Sequence, residues 1–225
     1  MTIEPIAVIR TDFPEKFGIP RQSGLIDELE GYIIFESKYR APEALREIER
    51  YTHLWLIWGF SENKEKEWSP TVRPPKLGGN KRVGVFATRS PYRPNPLGLS
   101  CVRLEKVEHS KKNGCILQVR GADLVDGTPI YDIKPYLPLS DCKKEASGSI
   151  VDEQISLLKT EISDTLLKDF PSEKLEALKK VLEQDPRPAY QDDPERIYGF
   201  GFAGYEIKFK VQDNTAIVTD VIKNG

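Results

Sequence analysis

The sequence predicts a mainly β protein: a small closed or nearly closed β-barrel followed by a smaller C-terminal α+β domain. Three observations predict it. Through the first two thirds, short runs of β-branched and aromatic residues alternate with turn formers. One helix-like segment interrupts them, too few for alternating βαβ units. Near residue 145 the composition turns small and polar (Lys143 to Ser149), and beyond it the apolar residues take helical spacing. A boundary at about 145–150 follows, dividing the chain into 1–147 and 148–225.

The strands are expected at Ile6–Ile9, Tyr32–Phe35, Leu54–Trp58 and Val83–Phe86, then around 99–107 and 115–120. The last two are joined by Lys111-Lys112-Asn113-Gly114, whose Asn-Gly pair suits positive φ. Between the second and third, APEALREIERY reads as a helix, with Pro42 in its first turn and Leu45, Ile48 and Tyr51 on one face. In the C-terminal part Ile155, Leu158, Ile162 and Leu166 predict an amphipathic helix that Pro171 stops. Ser172 then caps a second helix whose face is Leu175, Leu178 and Leu182. A hairpin, YEIKFKV then QDNT then AIVTDVI, closes the chain.

Several function classes are excluded or disfavoured early. No apolar run approaches the ~20 residues of a membrane helix, and MTIEPIAVIR lacks the charged-then-apolar plan of a secretory signal. Cys101, Cys115 and Cys142 are three, widely spaced and without a CxxC, which fits free thiols in the cytosol and not a zinc site. A formal GxGxxG at Gly199, Gly201 and Gly204 lies between a proline-rich stretch and a strand. It reads as a turn entering a hairpin, because a dinucleotide loop must follow a strand and open a helix. No metal site is expected. The net charge of −2 is neutral on nucleic acid, since a local basic patch suffices.

Four stretches repeat one pattern of rigid, charged loops after strand-like runs: FGIPRQSG with Pro20 and Arg21; SPTVRPPKLGGNKR with Arg73, Lys76, Lys81 and Arg82; ATRSPYRPNPLGLS with Arg89 and Arg93; and GADLVDGTPIYDIKPYLP with Asp123, Asp126, Asp132 and Lys134. Proline fixes φ, so such loops lose less entropy on closing around a ligand, and arginine forks grip carboxylates and phosphates. Taken singly each is an ordinary surface turn, and Asp132 with Lys134 reads equally as a solvated ion pair on one strand face. Taken together they suggest a site built from loops at one barrel mouth.

These stretches, with DPRPAY at 185–190, closely resemble the TsaA-like, TrmO-type family of tRNA methyltransferases, in order and over nearly the whole chain. The resemblance implies an S-adenosylmethionine (SAM) enzyme on a small β-barrel, a cytoplasmic homodimer that N6-methylates the modified adenine t6A at position 37 of the tRNA anticodon loop. It places cofactor contacts on Pro20, Arg21, Gln22 and Arg89, on Asp123, Leu124, Val125 and Asp126, and at the end of LWLIWGF, on Ser61 and Glu62. Ser61 stands where relatives often carry histidine, so a contact needing an imidazole is not carried over.

The reaction this implies needs a proton removed from a weakly nucleophilic N6. Asp132, then Asp126, are the candidate bases, with Lys134 beside them. Arg93, Lys134 or Arg187 would hold the threonyl carboxylate, and Arg93 and Asn95 would face the acceptor or brace their loop. Tyr136 and Tyr190 would stack on bases, and Lys76, Lys81 and Arg82, with Lys38 and Arg40, would meet phosphates. Two other readings remain open at this point: a non-catalytic nucleotide- or RNA-binding barrel, and a SAM enzyme for a small molecule.

Overall fold

The computed structural model describes residues 2–60, 68–74, 81–148, 157–187 and 193–225. Six strands form a closed antiparallel barrel: β1 (Ala7–Thr11), β2 (Glu30–Phe35), β3 (His53–Gly59), β6 (Leu97–Ser110), β7 (Gly114–Arg120) and β8 (Pro129–Pro135), in the order β1-β2-β7-β6-β3-β8. Alternation drives closure. On β2 every second residue is buried, and Ile9, Ile33, Leu54, Leu56, Val102, Leu117 and Ile130 fill the interior at no more than 1% exposure. Between them β4 (Thr71–Val72) and β5 (Val83–Gly84) make a separate two-stranded ribbon.

A second sheet follows, ordered β10 (Tyr198–Phe202), β11 (Tyr205–Gln212), β12 (Thr215–Lys223) and β9 (Lys159–Glu161), with β9 parallel to β12. The helix α2 (Leu175–Glu183) buries Ala177, Leu178, Val181 and Leu182 on it. The β11–β12 turn holds Asp213 and Asn214 both at positive φ, the mirror-image turn that matches strand twist.

Several expectations are corrected. APEALREIERY is two 3-10 turns, Pro42–Leu45 and Ile48–Arg50, parted by Glu47 at φ 69°. Eleven residues are too few for a stable isolated helix, and the break lets both Leu45 and Ile48 pack against the barrel core. Of the predicted helix from Ile155 to Leu166, residues 159–161 are β9 and 164–167 a 3-10 turn: the open edge of β12 supplies backbone partners that override local spacing. Ser172 makes no side-chain cap. Val83–Phe86 is no barrel strand. It is the two-residue β5 running into a 3-10 turn that buries Val85 and exposes Phe86. Of Asn113 and Gly114 only the glycine takes positive φ. The TPIYDIKP run, read as part of a loop, is β8, the strand that closes the barrel. A short helix, α1 (Pro138–Asp141), follows it.

The two sheets share the connection from β1 to β2, residues 12–29. Its Phe13, Ile26 and Leu29 are buried in one cluster with α2 and with Phe200, Phe202 and Phe209 of the second sheet. Gly201, the middle glycine of the GxGxxG, lies in β10, where a Cβ would fall 2.5 Å from Pro14 Cγ. That motif is a place where two chain segments cross closely.

Candidate active site

The β1–β2 connection, anchored at both ends by apolar packing, presents Pro20, Arg21 and Gln22 at the barrel mouth. Polar contacts hold it there. The Ser23 hydroxyl accepts the Cys101 N–H at 3.0 Å, and Gly24 N–H donates to Gly121 O at 2.9 Å. Both tie the loop to barrel strands or to the turn leaving β7.

Two cavities meet at this loop. The first, about 430 Å³, is lined by Ile19, Pro20, Trp58, Phe60, Tyr92 and Thr128, with Asp123, Leu124 and Val125 on its floor. The second, about 420 Å³, is lined by Arg21, Gln22, Arg89, Arg93, Asn95 and Leu99. Pro20, Trp58, Phe60 and Asp123 belong to both.

Asp123 is the carboxylate at their junction. Its Oδ1 accepts the Ser100 hydroxyl at 2.6 Å, and Ser100 in turn accepts Trp58 Nε1–H at 2.9 Å. Burial pushes the Asp123 carboxyl above the ordinary carboxylate range, against the lowering pull of Ser100, of the backbone N–H groups of Asp123 and Ser23, and of the Arg89 charge. Trp58 is fixed from below as well: a Cβ on Gly98 would lie 2.2 Å from its Cε2, so the indole lies on bare backbone of β6. Phe60 meets Trp58 edge-on with ring centroids 4.4 Å apart. Arg89 donates to Gln22 Oε1 across the second cavity.

Of the residues singled out in the sequence, Pro20, Arg21, Gln22, Arg89, Arg93, Asn95, Asp123, Leu124 and Val125 are thus brought together. Asp126 stands behind them, its carboxylate held by Thr11 N–H at 3.0 Å and Arg10 at 3.3 Å. Asp132 and Lys134 pair with each other at 2.9 Å and line neither cavity. A bulge opposite Ile57 and Trp58 turns Asp132 onto the outer barrel face, in one row with Ile57 and Leu99. Tyr136 packs on that face against Trp55, with centroids 5.6 Å apart. Arg187 makes a bidentate pair with Asp185 at 2.8 and 2.9 Å. Arg82 lines a third cavity, Lys81 is exposed, Lys38 binds Glu4, and Arg40 braces the backbone at Phe35 O and Lys112 O. Ser61, Glu62, Lys76 and Tyr190 lie outside the described residues. No group of three or more metal-ligating side chains occurs among the described residues.

Trp58, Phe60, Tyr92 and Ser100 line or support the site without having been picked out. The available signal was the glycine of PNPLGLS, opposite Trp58 in the antiparallel pairing of β3 with β6.

Residues 8–142 match the tRNA-methyltransferase O N-terminal domain and residues 156–224 the TrmO C-terminal domain. A tRNA (adenine(37)-N6)-methyltransferase of Escherichia coli is 41% identical over 220 residues, 93% of each chain. A Pyrococcus abyssi protein described as a probable S-adenosyl-L-methionine-binding protein is 38% identical over 140 residues, 62% of this chain and 70% of that one. A crystal structure of TrmO from Pseudomonas aeruginosa superposes with a TM-score of 0.80 at 32% identity, covering 100% of this chain and 97% of that one. With both domain matches in chain order around a barrel of this topology, the chain belongs to the tRNA-methyltransferase O family.

Proposed function

We infer that this chain is a SAM-dependent tRNA methyltransferase that methylates N6 of t6A at position 37, giving m6t6A. The observation that carries this reading is the paired cavity divided by Asp123, in a chain whose relatives are named for that reaction. The residues fit the cofactor's chemistry: a desolvated carboxylate suits a cation, and Trp58 and Phe60 offer aromatic surface to a sulfonium or purine. Bound SAM supplies the electrophilic methyl group. Pro20–Gln22, Arg89, Asp123, Leu124 and Val125 hold it, and Arg93 and Asn95 face the acceptor and its carboxylate. Holding donor and acceptor in line is the chief contribution of such a site.

The homodimer belongs to the same proposal. The outer row Asp132–Ile57–Leu99 meets the second cavity at Leu99, and Leu99 and Leu139 are exposed, the latter at 98%. A second copy on this face covers those leucines and places its Asp132 and Lys134 beside the cavity, which is how Asp132 reaches the acceptor as base. The proposed division is a SAM-binding barrel at 1–147 and a C-terminal domain at 148–225, and the proposed compartment is the cytoplasm.

The test is incubation of the purified protein with labelled SAM and tRNA bearing t6A, followed by nucleoside mass spectrometry. Appearance of m6t6A is the expected result. Cofactor binding without transfer, or transfer to a metabolite and not to tRNA, overturns the reading.

A further inference from the structure

Phe86 is a large apolar side chain left 73% exposed, whereas Phe35 of the barrel core is 6% exposed. It sits on the 3-10 turn Val85–Ala87 that follows the β4–β5 ribbon. The Arg93 guanidinium lies 5.9 Å from its ring centroid and is held in place by a 3.1 Å bond to Thr88 O. In the same segment Thr88 and Ser90 help to line a third cavity of about 590 Å³ with Arg73 and Arg82. Among the described residues its lining holds no carboxylate, and it shares Pro91 and Tyr92 with the first cavity. Arg82 is oriented by a 2.8 Å bond to Thr71 Oγ1.

A ring with an arginine beside it, next to a groove lined by Arg73 and Arg82 that adjoins the proposed methyl-transfer site, is a surface for unpaired nucleotides. Bases splayed from RNA loops stack on aromatic rings and guanidinium planes, and arginine forks take the phosphates between them. We propose that Phe86, backed by Arg93, is the stacking platform for a base of single-stranded RNA adjoining the target adenine, with Arg73 and Arg82 on its phosphates. This rests on the tRNA methyltransferase reading above and names which part of the substrate is gripped and where.

The test uses the full chain and a fluorescent anticodon stem-loop lacking t6A, so that binding is read apart from catalysis. Phe86→Ala should weaken RNA binding about tenfold. SAM affinity and the salt dependence of RNA binding should stay unchanged, because no charge is removed. Phe86→Trp should bind as tightly as the wild type. Unchanged RNA affinity in Phe86→Ala overturns the platform. So does a change in sedimentation, which would show that the ring covers a second copy of the chain. If the wild type binds RNA through Phe86 yet transfers no methyl group to t6A-bearing tRNA, the platform stands and the methyltransferase reading fails.

Discussion

Phe200 of the second sheet closes directly over Gly18 in the β1–β2 connection: a Cβ on Gly18 would sit 2.5 Å from Phe200 Cδ2, and Gly18 has φ +92°. Two residues later comes Pro20, shared by both cavities. The C-terminal sheet therefore bears on the loop that carries the proposed cofactor contacts, and the site depends on both halves of the chain.

Gly18→Ala should accordingly weaken the site along with the fold. Left-handed φ and a clash with a ring that has nowhere to retreat should together cost about 3 kcal/mol. Thermal unfolding should show the loss, and SAM titration of the still-folded variant should show weaker binding. A variant that loses stability but binds SAM as the wild type does would separate the loop's position from the sheet's.

Lys174 joins the two halves electrostatically. Its Nζ lies 2.9 Å from Asp12 Oδ2 and 2.8 Å from Glu30 Oε2, largely out of water. Burial opposes the charge on Lys174, but hydrogen bonds to Asp12 and Glu30 outweigh it and raise its pKa, while that of Glu30 is lowered chiefly by its bond to Lys174. The Glu30 share of stability is present above the ordinary carboxylate range and lost as pH falls through its lowered folded value. The Lys174 share is present below about pH 10.4 and lost as pH rises through its raised folded value. Lys174→Met should cost about 3 kcal/mol between roughly pH 5 and 10, towards the low end for breaking a buried pair. Denaturant melts at pH 3 and pH 7 check it: the gap between variant and wild type should shrink at the lower pH.

Gly98 and Trp58 form the tightest contact of the cavity wall. An alanine at 98 must displace the indole, since the intruding methyl meets its ring at 2.2 Å and β6 backbone cannot move without breaking the barrel. The displaced ring enters the cavities and loses its bond to Ser100. Gly98→Ala should therefore weaken SAM binding by at least tenfold. Trp58→Phe, which keeps the aromatic wall and removes the N–H, should weaken it less. Isothermal titration of both variants decides the order.

What the sequence made legible follows from where information is local. The barrel strands at 7–11, 30–35, 53–59, 97–110 and 114–120 carry short runs rich in β-branched and aromatic residues, bounded by turn formers. The loops at 20–22 and 87–99 declared themselves through arginine set among prolines. What escaped depends on distant partners. β9 is strand because β12 has an open edge, and Asp132 faces outward because a bulge in the β3–β8 pairing turns it. The β1–β2 connection reads as a barrel loop, but Phe13, Ile26 and Leu29 belong to the other core. Asp123, one carboxylate among three in its stretch, is set apart by Ser100 and Trp58, which are 23 and 65 positions away in sequence.

Asp123 gives the last and most discriminating expectation. In the free protein, burial raises its pKa, so the stability it contributes is present below the ordinary carboxylate value and lost as pH rises through the raised one. At neutral pH the ionised group is therefore a burden on the fold, kept where a cation is to bind. Asp123→Asn should leave the free protein as stable as the wild type or more so at pH 7, since amide oxygen still accepts from Ser100. The same change should weaken binding of cationic SAM at least tenfold, a trade of function for stability. In the wild type, SAM affinity should fall as pH drops through the Asp123 value, by no more than tenfold per pH unit for one proton, while Asp123→Asn should show a flat profile over that range. Titrations from pH 4 to 8 test this, and a wild-type affinity independent of pH would remove Asp123 from the cofactor's charge recognition.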